Sequence, residues 1–197
     1  QLELYDVMVE RLAELLANIK ESIGATGASS NWGKAKGAFW GWHQRILRQV
    51  LMSFQVPTII AQAEKALADG QSVVMQLVNT DDAVNQRMYE YGVGNNIPLD
   101  EMDFSIKIEV LHWLRQHYPV QQFVEVMDEN GNTTSEPMLD SNGKAILNPE
   151  AVAQRDEILA EVETKWQMPE MPLDQIINHF GIENVAEMTG RVARYPY

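Results

Sequence analysis

The side chains best suited to chemistry are few and widely separated in this sequence. The four histidines lack the close spacing and the companion ligands of a zinc or iron site. They are His43, His112, His117 and His179. There is no cysteine, which excludes a thiolate nucleophile, a thiolate metal ligand and a disulfide framework. Because a glycine-rich phosphate loop, a dinucleotide-binding fingerprint and a His-Glu-x-x-His motif are also missing, we predict no catalytic residue, no metal and no cofactor in this chain.

Acidic residues form two kinds of local cluster. The turns Asp128 to Asn132 and Asp140 to Asn142 carry oxygen ligands of the kind calcium prefers, but neither has the EF-hand spacing with its distal glutamate. Each turn overlaps an Asn-Gly pair, which favours a hairpin turn over a calcium site. The pairs Asp81-Asp82 and Asp100-Glu101 lie at predicted helix starts, where capping is favoured over acid–base chemistry.

An aromatic and basic group offers a different chemistry. Trp40, Trp42, His43 and Arg45 lie close together in the sequence and could stack on bases and hold phosphates. A tryptophan-rich helix start is more often a hydrophobic anchor. The sequence therefore favours packing for this group and leaves an interface open as the alternative.

The overall charge argues against a uniformly basic surface. The formal net charge is -13, from 28 acidic and 15 basic residues, although local basic patches remain compatible with it. The sequence has neither an apolar stretch long enough to span a bilayer nor the start of a signal peptide. We expect a soluble, cytoplasmic protein with no membrane partner, and we expect Gln1 and Tyr197 to be boundaries within a longer chain.

Hydrophobic periodicity and turn residues predict a helix-rich α/β fold in four segments. Residues 1–38 are predicted to form an amphipathic helix followed by a flexible loop rich in Gly, Ser and Ala, which covers residues 24–37. Residues 39–119 form the predicted α/β core, 120–148 a β-hairpin insertion and 149–197 the C-terminal helices.

The α/β assignment depends on one apolar run. Ser72 to Val78 is too short for a core helix and has the composition of a buried parallel strand, so a short, mainly parallel sheet flanked by helices is expected. Asn79 and Thr80 would then lie at the carboxyl end of the strand, where α/β proteins usually bind ligands. In the preceding helix, Pro57 predicts a break near Val56.

Three stretches resemble the helicase C-terminal region of the strawberry-notch family, a branch of superfamily 2. The first is FWGWHQR from Phe39 to Arg45, and the second is DGQSVVMQLVNTDDA from Asp69 to Ala83. The third is PLDQIINHFGIENVAEMTGRVAR from Pro172 to Arg194. Its Ala-Glu-Met-Thr-Gly-Arg order is the most specific of the three, because no general helix or turn rule dictates it.

This resemblance implies part of the second RecA-like lobe of an ATP-dependent helicase or translocase. The first RecA-like lobe of the parent protein would bind ATP and magnesium, so this chain alone is predicted not to hydrolyse ATP. By resemblance, Asn79, Thr80, Gly190 and Arg191 would contact the backbone of DNA or RNA. Equally, Thr80 could cap a helix and Arg191 could pair with an acid. The alternative function is a stand-alone acidic, helix-rich domain that binds another protein through the Trp-rich helix or the hairpin.

Overall fold

Five helices and two strands make up the part of the chain that the structure describes. The computed structural model describes residues 2–28, 31–77, 90, 93–94, 96, 105–127, 131 and 133–188. The elements are α1 (Leu2–Ala25), α2 (Trp32–Ala68), α3 (Ile106–His117), β1 (Phe123–Met127), β2 (Thr133–Pro137), α4 (Pro149–Lys165) and α5 (Pro172–Phe180). None of the described helices combines the length and the apolar character needed to cross a bilayer.

The chain divides into two compact units. Unit 1 comprises Gln1–Ile46 and Val110–Trp166, and unit 2 comprises Leu47–Glu109 and Gln167–Tyr197. Helices α2 and α3 each contribute residues to both units. The hairpin and α4 belong to unit 1, whereas α5 belongs to unit 2.

Helix α1 is amphipathic, as its sequence predicts. The side chains of Met8, Leu12, Leu15 and Ile19 recur every three or four positions and are all buried. The helix ends in a Schellman motif, in which the Ala28 amide donates to the Ile23 carbonyl oxygen. In this turn the Thr26 carbonyl oxygen accepts a hydrogen bond from the Phe123 amide, so the end of α1 contacts the hairpin of unit 1.

Helix α2 begins earlier than predicted and continues through the position at which a break is predicted. The predicted flexible loop over residues 24–37 is wrong at both ends, because α1 continues to Ala25 and α2 begins at Trp32. The predicted break near Val56 is also wrong, since α2 continues through Pro57 to Ala68. A proline removes one amide donor. Here the helix tolerates that loss while Val56 is fully buried and the Ser53 hydroxyl donates to the Glu170 carbonyl oxygen within unit 2.

The predicted α/β fold with a partial RecA-like lobe is wrong for the described residues. Residues 71–77 form no strand, and the side chain of Val74 is 94% exposed. A parallel strand is stable when neighbouring strands pair with it and helices cover its faces. No described residue pairs with this run, and the sheet in the described ranges is a two-stranded antiparallel one. A short apolar run alone does not identify a strand.

The hairpin expected between residues 120 and 148 is present in unit 1. Strand β1 pairs antiparallel with β2, with Val124 opposite Glu136 and Val126 opposite Thr134. A second turn follows, in which one carboxylate oxygen of Asp140 accepts the backbone amides of Asn142 and Lys144. That oxygen therefore stabilises the turn, which is the role that the sequence favours for Asp140 over calcium binding.

Asn148 joins three segments of unit 1. Its side-chain oxygen accepts the Ala151 amide at 3.0 Å and so caps α4, while its side-chain nitrogen donates to the Ala25 carbonyl oxygen at 3.2 Å. The same nitrogen donates to the Gln122 side-chain oxygen at 2.8 Å. One amide group thus contributes both to the helix cap and to the attachment of α1 to the hairpin.

We expect Asn148→Ala to lower the free energy of unfolding by about 1–2 kcal/mol, because it removes the cap and both donors. Asn148→Asp keeps a capping oxygen and loses only the donors, so it is expected to cost about 1 kcal/mol. Urea unfolding followed by circular dichroism measures both. If Asn148→Asp is as stable as the wild type, the two hydrogen bonds that Asn148 donates contribute nothing to the free energy of unfolding.

Candidate nucleic-acid interface

Two of the aromatic residues at the start of α2 are core residues. Phe39 and Trp42 are each 1% exposed, and Trp113 of α3 is 7% exposed. The Trp42 and Trp113 rings are stacked, with centroids 4.5 Å apart and planes at 16°. Phe39 meets the Trp113 ring edge to face at 5.9 Å. Of the predicted interface residues, Trp42 is therefore enclosed in unit 1 and cannot offer its ring to a ligand at the surface.

Trp40 lies on the opposite side of the same helix and remains open to solvent. Its side chain is 42% exposed, although its ring meets His43 at 4.9 Å and Phe39 at 5.9 Å in edge-to-face contacts. These contacts restrict the indole without covering it. An exposed and restricted aromatic ring is what base stacking in single-stranded nucleic acid requires.

Three cations accompany Trp40 on the exposed side of α2 in unit 1. Lys34, Lys36 and Arg45 are all exposed, and within the described ranges none of them forms a salt bridge. Lys36 lies one helical turn before Trp40 and on the same side of the helix, whereas Lys34 and Arg45 lie about 120° and about 140° around the helix from Trp40. The four side chains are therefore spread over the solvent-exposed side of α2. We call Lys34, Lys36, Trp40 and Arg45 the cationic face.

One feature of the sequence does point to this face, namely an interval without acidic residues. No acidic residue occurs between Glu21 and Glu64, although the whole chain contains 28 of them. The loop predicted over residues 24–37 includes Lys34 and Lys36, whereas the structure places both on α2. An interval that carries cations and lacks acids provides local positive potential in an otherwise acidic protein.

His43 is partly buried beside the cationic face. Burial lowers the pKa of His43 below its ordinary value of 6.5, because the charged imidazolium is poorly solvated there. As pH falls, the unfolded chain consequently binds a proton at His43 at a higher pH than the folded chain does. The stability associated with neutral His43 is present above pH 6.5 and is lost as pH falls toward the lower pKa of the folded state.

We expect His43→Gln to reduce the loss of stability on acidification from about pH 7 to about pH 5. Urea unfolding at several pH values measures this loss. His117→Gln is the control, since the side chain of His117 is exposed. Equal pH dependence in wild type and His43→Gln would contradict the role of burial at His43.

The remaining predicted nucleic-acid contacts cannot be located in relation to this face. Asn79, Thr80, Gly190 and Arg191 lie outside the described residues. The structure therefore brings Trp40 and His43 into contact and encloses Trp42. It leaves Arg45 on the exposed side of α2, as it does Lys34 and Lys36, which the sequence did not predict. Among the described residues, no group of three or more His, Asp or Glu side chains could hold a metal ion.

The protein is therefore helix-rich and has a cationic helix face that carries a tryptophan. Comparison with known proteins finds a similar sequence in one curated protein. The chain is 29% identical to Protein FORGETTER 1 of Arabidopsis thaliana over 93 residues. That match covers 47% of this chain and 7% of the length of Protein FORGETTER 1. The chain thus spans a small part of the curated relative that it matches. No protein-family model and no solved structure matches it.

Proposed function

We propose that this chain is a helical part of a larger strawberry-notch-type helicase-like protein, in which its cationic face contacts the backbone of nucleic acid. One observation carries the proposal: Lys34, Lys36 and Arg45 share the exposed side of α2 with exposed Trp40, form no salt bridge within the described ranges, and lie in an interval without acids. Lysine and arginine neutralise phosphates, and an indole ring stacks on bases of any sequence.

Two observations support the larger parent protein. The three sequence stretches that resemble the strawberry-notch family are distributed from Phe39 to Arg194. The match to Protein FORGETTER 1 covers only 7% of that protein. In this proposal ATP and magnesium bind to the first RecA-like lobe of the parent, which is the partner of this chain. The cytoplasm is the proposed compartment, consistent with a sequence that lacks cysteine.

The test measures binding of fluorescein-labelled oligo(dT), and of a labelled duplex, by anisotropy over a range of salt concentrations. The variant Lys34→Gln/Lys36→Gln/Arg45→Gln removes the three cations of the face. We expect about a tenfold or greater loss of affinity and a salt dependence reduced by about 2 in logarithmic slope, from about 0.7 for each lost contact to a single strand. Trp40→Ala should weaken binding of the single strand by about 1–3 kcal/mol and leave the duplex nearly unchanged.

A matched control separates a local face from overall charge. Lys20→Gln/Lys144→Gln/Lys165→Gln removes three exposed cations that lie outside the face, with the same change in net charge. We expect this control to bind like wild type. Equal weakening by both triple variants, or no binding of either nucleic acid by the wild-type chain, would contradict the proposed interface. Phosphate release from ATP by the purified chain would contradict the assignment of hydrolysis to the first lobe of the parent.

A further inference from the structure

The hairpin of unit 1 exposes more apolar side chain than the helices beside it. Val124, Val126 and Met127 of β1 are exposed, with Met127 at 71%. Met138, Leu139 and Leu147, which follow β2, are exposed as well. Val124 and Val126, two positions apart, lie on the same face of β1, and neighbouring exposed apolar side chains are typical of a surface that binds a partner. The hairpin is therefore a candidate docking surface.

Strand β1 also has an outer edge with which, beyond its first residue, no described backbone group pairs. The Met138 amide donates to the Gln122 carbonyl oxygen, and the Phe123 amide donates outward to the Thr26 carbonyl oxygen. Because antiparallel pairs alternate, the backbone groups of Glu125 and Met127 then point away from β2. No described strand pairs with that edge. It offers the main-chain donors and acceptors with which an added strand would bond.

The sequence that forms the hairpin is acidic. No lysine or arginine occurs between Arg115 and Lys144, whereas five acidic residues do. Of these, Glu125, Glu136 and Asp140 are described and exposed. A partner segment would therefore need positive side chains to bind here, and one that carried acids would be repelled.

We infer that the outer edge of β1 binds a basic, extended segment of a partner protein by strand addition. The free backbone groups of Glu125 and Met127 require an extended partner, the exposed valines favour an alternating one, and the acids require lysine or arginine on it. This inference does not rest on the nucleic-acid proposal, because it involves different residues of unit 1.

The experiment uses a labelled peptide of alternating lysine and valine as the probe, with the full chain as receptor. We expect saturable binding, and at least a tenfold loss of affinity in Glu125→Lys/Glu136→Lys. The control Glu10→Lys/Glu157→Lys reverses two exposed acids on α1 and α4 and should bind like wild type. Lys34→Gln/Lys36→Gln/Arg45→Gln should also retain peptide binding, which separates this surface from the cationic face.

Two further peptides and one measurement make the inference falsifiable. A peptide with glutamate in place of lysine should not bind, and a peptide with alternate backbone amides methylated should bind at least tenfold more weakly because it cannot complete the strand. Equal binding of the methylated peptide would overturn strand addition. Sedimentation that shows dimers abolished by Glu125→Lys/Glu136→Lys would overturn the choice of partner, since a second copy would then occupy the edge. Circular dichroism confirms that each variant folds.

Discussion

Replacing Trp113 with alanine is expected to lower the free energy of unfolding by about 3–5 kcal/mol, the largest effect of any single substitution proposed for this chain. Trp113 stacks on Trp42 at 4.5 Å and meets Phe39 at 5.9 Å, and all three side chains are buried. Removal of the indole leaves a cavity between α2 and α3 in unit 1, and the two remaining rings lose their packing partner. Urea unfolding followed by far-ultraviolet circular dichroism measures the change.

The control for this prediction is Trp40→Ala, which removes the same side chain from an exposed position. A smaller loss of about 1–2 kcal/mol is expected there, because Trp40 is 42% exposed and buries less apolar surface than Trp113. A double-mutant cycle of Trp42→Ala and Trp113→Ala should give a coupling of about 0.5–1.5 kcal/mol for the stacked pair. Equal losses for Trp40→Ala and Trp113→Ala would contradict the assignment of one tryptophan to the surface and the other to the core.

The division of roles between Trp40 and Trp42 follows from helix geometry. Residues two apart lie about 200° around a helix from each other, so Trp40 points away from the core when Trp42 points into it. The spacing of Phe39, Trp42 and Ile46, all buried, contains the phase that assigns Trp42 to the core. The spacing in the sequence therefore distinguishes Trp42 from Trp40, whereas an interface predicted from residue type alone includes both.

The helical part of the fold is predictable from sequence because burial repeats with the helical period. The apolar stripe of α1 is the clearest case, with Leu12 and Ile19 almost completely buried. The apolar run at residues 72–77 carries no comparable information, since a strand depends on neighbours that local sequence does not specify. Pro57 misleads for a related reason, because tertiary packing of α2 outweighs one missing hydrogen bond.

The sequence does not reveal the two lysines of the cationic face, because it does not predict where α2 begins. Gly33 and Gly37 suggested a loop, because glycine is a weak helix former. Helix α2 nevertheless starts at Trp32, and both glycines lie on it with open space around them. Lys34 and Lys36 then become part of an ordered helix that also carries Trp40. A boundary error of a few residues therefore changed the chemistry expected of this segment.

Gly27→Ala is expected to destabilise unit 1, whereas Gly24→Ala is expected to stabilise it. Gly27 has a φ of +74°, which costs a residue with a side chain about 1–2 kcal/mol. A Cβ atom there would also lie 2.9 Å from the Phe123 carbonyl oxygen, so the backbone of β1 would have to move. Gly24 lies within α1 and a Cβ atom there would have nothing within 4 Å, so alanine should add about 0.5–1 kcal/mol.

The two causes at Gly27 can be separated by a third variant. Asparagine tolerates positive φ better than alanine but carries the same Cβ atom, so Gly27→Asn relieves only the conformational cost. If the contact with Phe123 dominates, Gly27→Asn and Gly27→Ala should lower the free energy of unfolding by similar amounts. If Gly27→Asn recovers wild-type stability, the close approach of α1 to the hairpin imposes no constraint on this position. A stabilising Gly27→Ala would contradict the left-handed turn itself and with it the contact between the end of α1 and β1.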